Sequence, residues 1–167
     1  MTEKMNLFII IFIYLTFHIM LCKDEFAIRI NNIGYKIDFE RTEAAANQIK
    51  SKIPFTHKMT NFNGSEVYYK FKDKFTKNEK NIPKTQIGGI YLYKNDILTL
   101  FYKEIFSTNY YYTKIGKLGN ITNINLTEKI GPDDVTVQWC INSNCVDSFS
   151  FISTNYLLIL ALILLLF

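Results

Sequence analysis

Along most of this chain apolar and polar side chains alternate with a period of two, the signature of strands with one buried face. Phe26–Ile30 (FAIRI) and Tyr35–Phe39 (YKIDF) alternate on either side of Asn31-Asn32-Ile33-Gly34, and Asn and Gly tolerate the positive φ angles of hairpin turns. Phe55–Asn61 places Phe55, His57 and Met59 on one face, and Asn63-Gly64 signals the next turn. Asp134–Ile141 sets Val135, Val137, Trp139 and Ile141 on one face of a final strand. Between them lies the stretch that organises the rest, Gly88–Gly116. It holds apolar runs at Ile90–Tyr93 and Ile97–Tyr102, split by the polar triplet Lys94-Asn95-Asp96, and a β-prone run, Tyr110–Ile115, that stops at Gly116. Ile90, Leu92, Leu98, Leu100, Val135 and Val137 are the expected core.

Helical spacing is confined to two places. Thr42–Lys52 carries Ala45, Ile49 and Ile53 on one face, with Thr42 as the expected cap, Glu43 at the positive end of the helix dipole and Pro54 as its stop. Leu126–Lys129 reads as a single helical turn. The Lys-rich segment from Val67 to Gln86 reads as a short strand followed by a long, mobile loop. The expectation is a mainly β domain, an antiparallel barrel with one main α-helix, spanning residues 23–141.

The two ends differ in kind from this middle. Residues 1–22 have Lys4, an apolar run Leu7–Phe17 and a junction at Met20-Leu21-Cys22, the layout of a secretory signal peptide; a retained anchor is the alternative. Residues 142–167 form a polar spacer and then an apolar run, Tyr156–Phe167. At 1.5 Å per residue that run reaches roughly 18 Å, short of the roughly 30 Å of a bilayer core. Two readings compete: a GPI-anchor signal with attachment near Asn142–Asn144, and a tail-anchored helix starting near Phe149. Either places the domain in the secretory pathway, on the extracellular face of the cell membrane. Three sequons, at Asn63, Asn120 and Asn125, are candidate glycosylation sites in that setting. Cys140 and Cys145 are a candidate disulfide, and attachment at Asn142–Asn144 would remove Cys145.

Composition narrows the chemistry. The net charge is +4 and nearly all positive charge is Lys, with Arg29 and Arg41 the two arginines, which argues against bidentate phosphate or carboxylate clamps. The histidines are His18 and His57, so no Cys/His cluster has metal-ligand spacing, and no nucleophile elbow, phosphate loop or spaced acid pair occurs. No catalytic residue, metal or cofactor is expected, nor a nucleic-acid partner. The candidate ligand-binding residues are His57, Glu66, Tyr110, Tyr112 and Lys114. For His57 packing in the sheet outweighs catalysis, for Glu66 support of the Asn63-Gly64 turn competes with a place in a cleft, and for the tyrosines core packing competes with a groove.

Several ordered signatures resemble the cyclophilin-like domain family of small, largely bacterial β-barrels. They are the opening hairpin, a Thr-x-Ala-Ala helix ending at Ile53-Pro54, and Met59-x-x-Phe62-Asn63-Gly64-x-Glu66. Gly88-Gly89-Ile90-x-Leu92-Tyr93 and Asn95-x-Ile97-x-x-Leu100-Phe101-Tyr102-Lys103 follow, then Ser107-x-x-Tyr110-x-Tyr112-Thr113-Lys114-Ile115-Gly116 and Asp134-Val135-Thr136-Val137. The resemblance implies a closed barrel of about eight antiparallel strands with a helix packed against it. Gly89 stands where the family usually has Asp, and Lys114 where it usually has Arg. The Arg and Phe-Met-x-Gln set of cyclophilin prolyl isomerases has no counterpart. The reading is a monomeric surface-anchored binding module for an unknown peptide or protein ligand. Its alternatives are a weak peptidyl-prolyl isomerase by fold analogy and a structural surface-coat protein. Phosphatidylinositol-specific phospholipase applied to intact cells, in a host with sensitive anchors, is expected to release the domain. Retention with Phe167 found by mass spectrometry would mean a tail-anchored helix.

Overall fold

A computed structural model describes residues 25–106, 109–119, 121 and 123–141. The leader, the tail, Asn120 and Cys145 lie outside the described residues, as does the side chain of Asn125. Nine strands form one antiparallel system: β1 Phe26–Ile30, β2 Ile33–Phe39, β3 Phe55–Phe62, β4 Glu66–Lys70, β5 Lys80–Asn81, β6 Gly89–Tyr93, β7 Ile97–Phe101, β8 Tyr111–Leu118 and β9 Val135–Ile141. Eight run in the order β2-β1-β9-β3-β4-β7-β6-β8, and β2 pairs again with β8, which closes a barrel; β5 is appended to β8. Closure satisfies the strand edges that an open sheet would leave unpaired.

The turns follow from the residues that occupy them. Asn31 and Asn32 both have positive φ, 47° and 66°, so the first hairpin closes in two residues and β2 begins at Ile33 rather than Tyr35. Asn63 and Gly64, at φ 51° and 61°, turn β3 into β4, and Lys94, at 55°, does the same between β6 and β7. Gly116 permits the closure itself. A Cβ there would lie 2.5 Å from the Asp38 carbonyl oxygen, so only a glycine lets β8 approach β2 this closely.

Every expected core residue is buried: Ile90, Leu92, Leu98, Leu100, Val135 and Val137 pack with Ile28, Trp139 and Ile115 inside the barrel. Two short helices add to this core. In α1 (Ala44–Lys50) Ala45, Ala46 and Ile49 are buried; in α2 (Asn123–Ile130) Leu126 and Ile130 are. Helix α1 is shorter than the expected Thr42–Lys52, and Thr42 is not its cap. The N-cap is Glu43, in extended conformation and without a side-chain cap hydrogen bond, because its carboxylate accepts from the Asn78 side-chain amide at 3.0 Å. In turn α2 is longer than the single turn Leu126–Lys129 read from sequence.

The Lys-rich segment after β4 is tied down rather than loose. Phe71 and Phe75 are buried, and their backbone amides donate to the Asp96 and Asn95 carbonyls, both at 2.8 Å. The Asn78 amide donates to Thr113 Oγ1 at 2.8 Å. Two aromatic anchors thus override the polar composition that suggested a free loop. Cys140 is buried beside Ala27 and is disulfide-bonded, its partner lying outside the described residues. Two substitutions test this account by urea denaturation. Leu100→Ala should cost about 2–5 kcal/mol as a cavity in the barrel. Gly116→Ala should cost about 1–3 kcal/mol by forcing β8 from β2, although it adds only a methyl group.

Candidate functional site

Alternation that sends Val67, Leu98, Leu100 and Leu92 inward sends a second set of side chains to the outside of the barrel wall. Register aligns that set. Glu66 stands opposite Phe101, and Tyr68 opposite Thr99. Thr99 in turn faces Tyr91, and Ile97 faces Tyr93. Tyr93 continues to Tyr112 on β8. The short Thr99 and the aliphatic Ile97 on β7 therefore form a low floor, with aromatic side chains rising from β4 on one side and from β6 and β8 on the other. With strands about 4.8 Å apart, β4 and β6 lie about 10 Å from one another, room for a ligand between them.

Two loops deepen this depression into a cavity of about 570 Å³, whose rim includes Phe62, Asn63, Ser65, Ile105 and Tyr110. Neither loop is held by chance contacts. The β3–β4 turn is braced by Asn61, whose side-chain amide donates to Tyr102 Oη at 2.8 Å and whose Oδ1 accepts from the Gly64 amide at 3.2 Å. The Ser65 carbonyl accepts from the amides of Tyr102 and Lys103. Across the cavity Ile105 is clasped by the buried Thr85, which exchanges two hydrogen bonds with it at 3.0 and 2.9 Å. The rings are packed edge to face: Tyr93 on Tyr110 at 5.9 Å and Phe62 on Tyr68 at 6.2 Å. Phe62 and Tyr110 are about half exposed, at 48 % and 54 %, so the cavity opens to solvent between them.

Glu66 is the exceptional residue in this setting. Its side chain lines the cavity, only 9 % of the residue is exposed, and Oε2 has no hydrogen-bond partner. Burial among rings pushes its carboxyl up from the ordinary 4.5 to about 7. Tyr112 is pushed up as well, chiefly by burial and then by the negative charge of Glu66. Lys70 also lines the cavity but does not neutralise Glu66, being four residues along β4, roughly 13 Å by strand rise.

Of the residues singled out from sequence, the structure brings together Glu66, Tyr110 and Tyr112, with Asn63 on the rim. Tyr111 points away from the cavity, as alternation requires, and is exposed. His57 is elsewhere: its ring stacks on Tyr69 at 3.6 Å and 7°, next to Phe55 and Phe71, and burial lowers its pKa, favouring a neutral ring. Lys114 does not line the cavity either, since its Nζ is paired with Glu40 Oε1 at 2.6 Å. The side-chain hydrogen bond that braces the turn comes from Asn61, whose Oδ1 accepts from the Gly64 amide. Sequence reading missed Phe62, Tyr68, Tyr93, Thr99 and Ile105. The three on strands β4, β6 and β7 carried a signal, being the alternate positions of runs whose inward members are aliphatic. Among the described residues no group of three His, Cys, Asp or Glu side chains could hold a metal ion.

Fold and site together define a closed antiparallel β-barrel whose candidate site lies on the outer wall. Comparison with protein-family models matches residues 28–139 to the cyclophilin-like family, and the chain belongs to that family. A comparison with curated proteins finds none that matches. Gly89 and Lys114, set apart in the sequence by the resemblance, meet at one point here. A Cβ on Gly89 would lie 2.6 Å from the Tyr91 ring, and Tyr91 stands opposite Lys114, so the ring takes the space a larger residue at position 89 would need.

The buried carboxyl has a measurable consequence. Between pH 4.5 and about 7 the folded chain keeps a proton that the unfolded chain has released, so the contribution of Glu66 lowers stability as pH rises through that window. Fully developed, this amounts to on the order of 3 kcal/mol. Glu66→Gln should therefore stabilise the domain by about 1–3 kcal/mol at pH 8. At pH 4, where the carboxyl is protonated in both states, the change should be within about 0.5 kcal/mol. Equal effects at both values, in paired urea melts, would show that Glu66 is not buried as a charge.

Proposed function

We propose that this barrel is a binding module for a peptide or protein ligand, held at the extracellular face of a membrane by its C-terminal segment, and that the ligand enters the outer-wall cavity. The observation that carries the reading is the cavity itself: about 570 Å³, mostly aromatic and aliphatic, with one convergent buried carboxyl. Ligand sites are characteristically concave, largely apolar and furnished with a few polar groups that fix orientation. The two clasped loops pre-form the rim, which spares the ordering cost that a mobile site would incur on binding. Arg29 and Arg41 are not among the cavity-lining residues, so no guanidinium lines the site.

Selection of a random-peptide display library on the immobilised protein tests this. Enriched peptides are expected to bind the wild type and to lose at least tenfold in affinity to Tyr112→Ala or Tyr68→Ala, with both variants shown folded by circular dichroism. Absence of enrichment, or binders indifferent to both substitutions, would remove the cavity from the reading. A prolyl-peptide isomerisation assay on the same protein is expected to give the uncatalysed rate; acceleration would make the domain an enzyme.

A further inference from the structure

We propose that the group this cavity is built to receive is an alkylammonium, carried on a lysine or methylated-lysine side chain of a polypeptide. The inference rests on the binding-module reading above and names its ligand chemistry. A carboxylate oxygen buried without a partner is costly, because it has lost water and gained nothing. Glu66 Oε2 is such an oxygen, in a residue nine-tenths buried whose side chain lines the cavity. A cation delivered there restores the missing interaction. The surrounding walls suit the same guest. Tyr68, Tyr93 and Tyr112 surround the space, and the faces of aromatic rings attract ammonium groups, most strongly where water is excluded. Ile97 and Ile105 match the apolar stem that precedes the head of a lysine-type side chain. An anionic guest would meet the Glu66 charge, and a guest with neither a positive charge nor a hydrogen-bond donor would leave the carboxyl without a partner.

Besides Glu66, the titratable side chains that line the cavity are Lys70, farther along the same strand, and Tyr68, Tyr93, Tyr110 and Tyr112. Burial and the Glu66 charge keep the Tyr112 hydroxyl neutral well beyond pH 8. Glu66, pushed up to about 7 by burial, changes its charge between pH 5.5 and 8. Binding of a permanent cation should weaken as pH falls, although the charge of the guest does not change.

The test is an NMR titration of the full-length chain with three probes, followed at the tyrosine ring signals. They are N-acetyl-lysine methylamide, its ε-trimethylated form, and the neutral analogue in which a tert-butyl group replaces the trimethylammonium. At pH 8 both cations are expected to bind at least tenfold more tightly than the neutral analogue. The trimethylated probe should lose about that factor between pH 8 and 5.5, and the neutral analogue should not change. Glu66→Gln, which keeps the side-chain shape, should abolish the preference for the cations over the neutral analogue. Equal affinity for the cations and the neutral analogue at pH 8, or a preference that survives Glu66→Gln, would overturn the cation inference yet leave a ligand-binding cavity. Failure of all three probes to shift any tyrosine signal would overturn it as well. The display selection then decides whether the cavity binds any ligand.

Discussion

Closure of the sheet between β8 and β2 is the constraint on which everything else depends. It brings Gly116 against the Asp38–Phe39 backbone, a contact that a side chain at position 116 would prevent. Once closed, the barrel has a fixed inside and outside, and strand alternation assigns every residue to one or the other. The aliphatic residues fill the inside. The outer face of β4, β7, β6 and β8 therefore receives what remains of those runs: tyrosines, Phe101, Thr99 and Glu66. A slip of one residue in any of these strands would exchange the two sets and destroy core and cavity together.

That dependence explains why the outer wall is so aromatic. Tyrosine gives a strand on an exposed wall both packing surface and a polar end. Tyr91, Phe101 and Tyr112 form a small second core there, with Ile82 and Ile105 packed on it from the loops. The wall is consequently rigid beneath the cavity, and the loops are clasped to it by Thr85 and Ser65 rather than resting on it. Glu66 sits at the edge of this second core. The same packing that stiffens the wall strips water from its carboxyl, so the structural and electrostatic features of the site have one cause.

The fold was legible in the sequence because its signals are local. Period-two runs gave the strands within a few residues of their ends, Asn-Asn and Asn-Gly gave the turns, and the ordered signatures gave the family. Boundaries were misjudged where a side chain was claimed from a distance: Asn78 drew Glu43 away from a regular cap, and Phe71 and Phe75 pinned a segment that composition marked as loose. The site was legible only in part. Glu66, Tyr110 and Tyr112 were singled out singly, but nothing local tells that β4 and β8, separated by two other strands, share a wall. For His57 the packing reading holds, because its neighbours Phe55 and Tyr69 make it one ring in an aromatic stack. Lys114 misled because its partner, Glu40, lies at the end of a strand far away in sequence.

The charge balance of the chain bears on how such a cavity would work. With a net charge of +4 spread over lysines, the protein as a whole repels cations at long range. Salt at physiological strength screens that repulsion beyond roughly 8 Å, while a group inside the cavity meets Glu66 and the ring faces at short range, where screening is weak. Capture of a positive group would therefore rely on contact inside the cavity and not on steering from solution. The lysine-rich exterior and the buried acid of the cavity would then act together as a filter. Diffuse positive charge would be turned away, and a single slender cationic side chain that reaches past Phe62 and Tyr110 would be retained. A glycan on Asn63 would narrow the same entrance, since that residue stands on the rim. Access to the cavity, more than its interior, would then set which side chains can enter.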